Sequence, residues 1–206
     1  RWAGAELSGA LAAVYVEGAP MLAAVQPSRW PGVDVAPASV GLRDAALAPR
    51  PLAVMALRQA IAALPPRWSW VLVDTPPAAG IVALSAVLAA AWVVVPVESS
   101  SVALAGVPSV LLTLDDAQAA LAPAPGPQLA GILITRHDGR TRAASAVADA
   151  LRAELGGDVF STTIRETVRH REAAALGRTI VEHDPTGPGA AEYLAAAAEL
   201  RERTRP

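Results

Sequence analysis

Two hydrophobic rhythms take turns along this chain. Short unbroken apolar runs, such as Trp70-Val71-Leu72-Val73 and Trp92-Val93-Val94-Val95, have the length and β-branching of strands buried on both faces. Between them lie longer segments with apolar residues three or four apart, the period of a helix that buries one stripe. This spacing predicts a helix over 4–16 with Leu7, Leu11 and Val14 on one face, and a short one over 21–25. A strand over 33–36 closes at Pro37, and helices follow over 41–47 and 52–64, the latter presenting Met55, Leu57, Ile61 and Leu64. Pro65-Pro66 stops that helix and delivers the chain to the run at 70–73.

Beyond that run the alternation is regular. Helices are expected over 81–90, 102–121, 142–155, 168–176 and 189–202, with strands over 92–95, 129–135 and 159–164. Strands separated by helices join through right-handed crossovers, which implies an α/β fold: a parallel sheet flanked by helices on both faces. One domain over 1–206 accommodates the whole pattern, with no internal repeat and no disordered linker.

The run at 70–73 ends in Asp74-Thr75-Pro76-Pro77, so Asp74 is expected at the carboxyl end of a strand. At that edge of an open parallel sheet, loop amides and helix amino ends converge, and ligands bind there. An aspartate in this place can hold a water on Mg²⁺ beside a phosphate chain. It can equally make an Asx-turn that satisfies backbone amides as the chain leaves the sheet.

Composition narrows the chemistry. The 206 residues contain no cysteine, which removes disulfides, thiol catalysis and cysteine-held iron–sulfur clusters. All 17 basic residues are arginine, so there is neither a phosphate-loop lysine nor a Schiff-base lysine. A net charge of −2 does not suit a uniformly basic nucleic-acid binder. Mean hydropathy is +0.37, and residues 75–97 carry no charge, long enough to span a bilayer. The prolines at 76, 77 and 96 and Gly80 interrupt that stretch, which favours a buried helix followed by a buried strand and leaves a membrane span as the alternative. No charged-then-apolar leader opens the sequence, and Arg1 stands where an initiator methionine is expected, so the chain reads as a fragment or a trimmed product.

No basic residue occurs between Arg67 and Arg136. Arginines then return in two groups, Arg136, Arg140 and Arg142 after one predicted strand and Arg165, Arg169 and Arg171 after the next. With both strands parallel, the two groups share a rim, where guanidinium forks suit phosphate. Loops at a strand edge are also commonly solvated and charged, and Asp138, Glu166 and Glu172 partly neutralise these groups.

Taken together, these stretches resemble the ParA family of partition ATPases, relatives of the MinD group. The matching residues, in order, are Trp70 to Pro77; Val95-Pro96-Val97 leading to Ala103-Leu104-Ala105-Gly106; Gly131 to Thr135 with Asp138-Gly139-Arg140-Thr141; Ile164 to Arg169 with Glu172-Ala173; Gly177 to Ile180; and Glu182 to Pro185 with Gly189-Ala190. The resemblance implies a P-loop NTPase-like fold that binds ATP with Mg²⁺. It places Asp74 as the carboxylate that positions Mg²⁺ through water, and Thr75, Pro76 and Pro77 in the switch that senses the γ-phosphate. Thr135, Arg136, Arg165, Glu166 and Thr167 fall where the family surrounds the adenine base. The family closes an ATP-dependent homodimer, binds DNA non-specifically and is triggered by a ParB-type activator protein. Arg140, Arg169, Arg171 and Arg178 are the candidates for DNA contact.

The departures are as informative. The family's phosphate loop, the aspartate motif that activates the attacking water, and the first strand of the sheet all lie before the point matched by Arg1, so the resemblance describes an amino-terminally truncated member. Removing that strand exposes an apolar strand edge, and the chain made alone is expected to be unstable or associated. Two functions remain in view: an ATP-dependent partition protein of the bacterial cytoplasm and nucleoid, and a non-catalytic DNA-binding or protein-interaction module derived from the same fold.

Other residues are expected to do less. His137, His170 and His183 lack ligand spacing, Ser99-Ser100-Ser101 caps the following helix, and Trp68 and Trp70 pack around the central strand. The terminal helix docks through Leu194 and Leu200 and is no membrane anchor. Glu98, Asp115 and Asp116 have no assigned role.

Overall fold

The computed structural model describes residues 3–6, 9–38, 42, 53–76 and 80–205, and they fall into two compact units. The first comprises Arg1–Ala91 with Ala117–Pro127, the second Trp92–Asp116 with Gln128–Pro206.

In the first unit, α1 (Ala10–Glu17) ends at Gly18, whose positive φ of 70° closes the last turn in the left-handed region. A 3-10 turn (Met21–Ala24) leads to β1 (Gln26–Pro27), which pairs antiparallel with β2 (Asp34–Val35). Helices α2 (Ala53–Ala62) and α3 (Ile81–Ala89) complete it. Val14, Tyr15, Met21, Ala24, Leu57 and Ala86 form one buried cluster, with Leu11, Ile61 and Leu64 packed against it. Tyr15 shares a buried hydrogen bond with Ser85, Oη to Oγ at 2.9 Å, and Ser85 donates to the carbonyl of Val82 at 2.9 Å. Burial raises the Tyr15 phenol above its ordinary range, and the bond to Ser85 offsets part of that rise.

Three expectations change here. The first helix starts six residues later than its apolar stripe suggests, at Ala10. The predicted strand near 33–36 belongs to a two-stranded antiparallel ribbon, which the sequence reading did not foresee. Most important, residues 70–76 form no strand. Trp70, Val71, Leu72 and Val73 are 47, 48, 81 and 41% exposed, and Asp74, Thr75 and Pro76 are exposed too. A β-branched run becomes a strand only when neighbours take its N–H and C=O groups, and no described residue pairs with this one. Trp70 is therefore not a packing residue, whereas Trp68 donates its Nε1–H to Asp34 Oδ2 at 2.9 Å under the guanidinium of Arg67. Pro77 and all of the expected helix 41–47 except Leu42 lie outside the described residues.

The second unit holds a parallel sheet of three strands in the order β3 (Trp92–Glu98), β4 (Gln128–His137), β5 (Val159–Arg165). Around it run α4 (Ser101–Leu121), α5 (Arg142–Leu155), α6 (Val168–Ala175), the short α7 (Ile180–His183) and α8 (Pro188–Arg203). β3 continues through Pro96 to Glu98, further than the sequence indicated. It is an edge strand among the described residues, so a residue without an N–H is tolerated in it. Val95 and Val97 from β3, Ile132 and Ile134 from β4, Val107 from α4 and Ala148 and Leu151 from α5 make the core, with Ile132, Ile134 and Leu151 fully buried. No described helix is long and apolar enough to cross a membrane.

Two irregularities shape the sheet. β4 carries an extra residue, Ala130, between the pairs Val93↔Leu129 and Val94↔Gly131. The β4–β5 ladder then steps from Ile132↔Val159 to Ile134↔Thr163, leaving spare backbone on β5. Gly131, at φ 147°, lets the ring of Phe160 and the carbonyl of Asp158 approach closely; an added Cβ would meet Phe160 Cε2 at 2.8 Å and Asp158 O at 2.9 Å. The loosened part of β5 is held by α8. Leu194, expected to dock that helix, is 56% exposed. Ala190 and Ala196 are its buried contacts, and Glu192, Glu199 and Arg203 bind β5 through charged groups.

Candidate functional site

Parallel pairing brings the carboxyl ends of β3, β4 and β5 to one rim, and side chains tie the three ends together. Arg136, at the end of β4, has φ 48°, a left-handed conformation uncommon for a residue with a Cβ. Its side chain spans both neighbours, with Nη1 donating to Glu98 Oε1 at 2.7 Å and Nε to Glu166 Oε2 at 3.1 Å. These hydrogen bonds, Glu166 first and Glu98 second, raise the Arg136 pKa further above its ordinary value. The other Glu166 oxygen accepts from Arg171 Nη1 at 3.3 Å, so acid and base alternate across the rim. The backbone follows the same path, with Glu166 N donating to the carbonyl of His137 at 3.0 Å. On the β3 side, Ser99 Oγ lies 2.9 Å from His137 Nδ1.

The residues predicted to face a base thus converge: Thr135, Arg136, Arg165, Glu166 and Thr167 all sit at the ends of β4 and β5. Thr135 Oγ1 reaches back to the carbonyl of Val97 at 3.4 Å. Arg165 is held by Glu192 of α8 through both its amide and its guanidinium, and Thr167 caps α6 by accepting from Arg169 N at 3.3 Å. Glu98, which had no assigned role, is a member of this rim. The signal that could have found it is its place at the last position of a strand, the same place that singled out Asp74. Asp74, Thr75 and Pro76 lie in the other unit, in an exposed segment.

Three of the four arginines considered for DNA contact already hold a carboxylate. Arg140 grips Asp138 in a two-pronged contact, Nε to Oδ1 at 2.8 Å and Nη2 to Oδ2 at 3.0 Å. Hydrogen bonds from its side chain and backbone keep the Asp138 carboxyl below its ordinary range. Arg169 donates to Glu172 at 2.9 Å and Arg171 to Glu166. Arg178 is exposed and makes no side-chain ion pair among the described residues.

The histidines have separate surroundings. His137 faces Ser99, His183 Nε2 lies 3.3 Å from Glu172 Oε2, and His170 packs edge-on against Tyr193 with its Nε2 buried and unpartnered. Among the described residues no group of three or more His, Asp or Glu side chains is placed to hold a metal ion. Ser100 caps α4, accepting from Ala103 N at 3.3 Å, whereas Ser99 is spent on His137.

Comparison with known proteins agrees with this architecture. Residues 5–124 match the family described as an AAA domain. The chain is 44% identical over 135 residues to the chromosome-partitioning ATPase Soj of Thermus thermophilus, a match covering 66% of this chain and 53% of that protein. It therefore spans about half the length of that relative. It is 30% identical to the chromosome partitioning protein ParA of Caulobacter vibrioides, over 91% of this chain and 71% of that one. Among solved structures, cobyrinic acid a,c-diamide synthase of Mycobacterium smegmatis, with a bound ATP analogue and magnesium, superposes with a TM-score of 0.75 at 25% identity, covering 97% of this chain and 75% of that one. By fold, by matched domain and by relatives spanning most of its length, this chain belongs to the ParA family of partition ATPases.

Proposed function

We propose that this chain belongs to an ATP-dependent DNA-partitioning protein, in which ATP and Mg²⁺ close a homodimer that binds DNA non-specifically and a ParB-type protein triggers hydrolysis. Such a protein works on the nucleoid in the bacterial cytoplasm, carrying plasmid, chromosome or protein cargo. The observation that carries the reading is the convergence of Thr135, Arg136, Arg165, Glu166 and Thr167 on one strand-end rim, in a chain whose relatives are partition ATPases. The two compact units read together as one ParA-type domain over 1–206, since a single solved neighbour covers 97% of the chain.

The residues present fit the nucleotide in part. The rim offers hydrogen-bonding groups for a base; in the other unit the exposed Asp74 would hold Mg²⁺ through water, with Thr75 and Pro76 as part of the γ-phosphate switch and Pro77, outside the described residues, as its further member. The metal, when bound, neutralises charge on the phosphate oxygens. The 206 residues contain no lysine to hold the β- and γ-phosphates, so no step of hydrolysis follows from them. The second reading is a non-catalytic DNA-binding or protein-interaction module on the same fold.

The test is titration of a fluorescent ATP with Mg²⁺ into this chain and into any longer form of the protein that carries a phosphate loop. Binding by the longer form, with hydrolysis lost in Asp74→Ala, supports the ATPase. Nucleotide binding by neither form, from a folded chain that retains duplex DNA, supports the module.

A further inference from the structure

Helix α6 presents its arginines in an occupied state. Arg169 and Arg171 have side chains 57 and 70% exposed, yet each has a guanidinium nitrogen on a carboxylate, Arg169 on Glu172 and Arg171 on Glu166. The two carboxylates differ in what else they hold. Glu166 is committed to the rim through Arg136, whereas Glu172 Oε2 takes Arg169 at 2.9 Å and His183 Nε2 at 3.3 Å and reaches no strand. Hydrogen bonds from Arg169, then His183, hold the Glu172 carboxyl below its ordinary range.

A carboxylate about 3 Å from a guanidinium cancels most of its field beyond about a Debye length, ~10 Å at 0.1 M salt. A phosphate approaching Arg169 must displace Glu172 before it gains the contact. The pair is exposed, and such pairs are weak enough to be displaced.

We propose that Glu172 is an intramolecular competitor for phosphate, masking Arg169 so that α6 binds duplex DNA more weakly than its arginines alone would. This rests on the DNA-binding reading above and adds the element that limits it. The mask keeps non-specific affinity low, and a ligand that draws Glu172 away raises it.

The experiment is a double-mutant cycle with a fluorescent duplex, in the 206-residue chain and in any longer form that carries a phosphate loop with ATP and Mg²⁺ present, read by anisotropy across a salt series. Glu172→Ala is expected to tighten binding about threefold to fivefold at about 50 mM salt and to steepen the slope of log K against log salt by about 0.9, one added phosphate contact. In an Arg169→Ala background the same change is expected to gain much less, because only His183 and the change of one unit in net charge remain. Equal gains in both backgrounds reduce the effect to net charge and overturn the mask, as does no gain with Arg169 intact. Absence of DNA binding in every variant, with circular dichroism showing each one folded, overturns the DNA reading itself.

Discussion

The carboxylate of Glu199 accepts the backbone N–H of Thr162 at 3.0 Å, and with it the N–H of Ser161 at 2.8 Å. These two consecutive amides lie where β5 carries more residues than β4, so the ladder cannot satisfy both. One turn along α8, Arg203 binds Glu199 and donates to the carbonyls of Gly157, Val159 and Ala130, lying over the ring of Phe160 at 4.5 Å. One i, i+4 pair thus supplies both acceptor and donors to a distorted strand, which explains why α8 needs so few large apolar side chains.

Acid should find this joint first. Burial works against ionisation of Glu199, but the bonds from Thr162 and Ser161 outweigh it and bring the pKa from 4.5 down to about 2. A depressed carboxylate stabilises the fold above the unfolded value, and that share is lost as pH falls from about 4.5 towards 2. Glu199→Ala is expected to cost about 1–2 kcal/mol at pH 7 and much less near pH 2, in urea melts followed across that window.

Gly131 sits where a side chain has neither the backbone conformation nor the room. Gly131→Ala is expected to cost about 3 kcal/mol, from the strain of a positive φ and the contacts with Phe160 and Asp158. Phe160→Leu in the same chain should recover only part of it, since the strain at φ 147° and the Asp158 carbonyl both remain; thermal unfolding of the two variants measures the split.

At Arg136 the backbone and the side chain can be separated by substitution. Both Arg136→Ala and Arg136→Gly lose Glu98 and Glu166, but alanine keeps the positive φ of 48° whereas glycine adopts it freely. The glycine variant is expected to melt about 3 °C above the alanine variant, a reversal of the usual order for the two residues.

Leu72 is 81% exposed, so Leu72→Ser should leave the melting of this chain within about 0.5 kcal/mol and reduce its tendency to associate, measured by light scattering. A large destabilisation would place Leu72 in a packed strand and contradict its exposure.

The elements of the second unit were legible in the sequence. Helix α5 coincides with its amphipathic stripe from Arg142 to Leu155, β4, β5 and α8 extend their predicted spans by at most a few residues, and α6 ends one residue short, because local periodicity and Pro or Gly boundaries decide where such elements run. The position of Thr135, Arg136 and Arg165 on one rim came with them, since a parallel strand must present its carboxyl end to the same rim as its neighbours.

The pairing of the run at 70–73 was not legible. Whether Trp70 to Val73 became a strand depended on a neighbour to take its hydrogen bonds, and the same apolar letters describe a buried strand and an exposed segment. Distant polar partners were equally hidden: Glu98 with Arg136 and Glu199 with Thr162 meet across separations of 38 and 37 residues, whereas Glu172, three residues from Arg169 on one helix, was legible as its neutraliser. Residue type and local spacing determined the helices, most of the strands and the absence of lysine and cysteine chemistry from this chain. Tertiary structure alone decided which apolar run is covered and which arginine is already occupied, because burial and ion pairing are properties of what lies beside a residue in space.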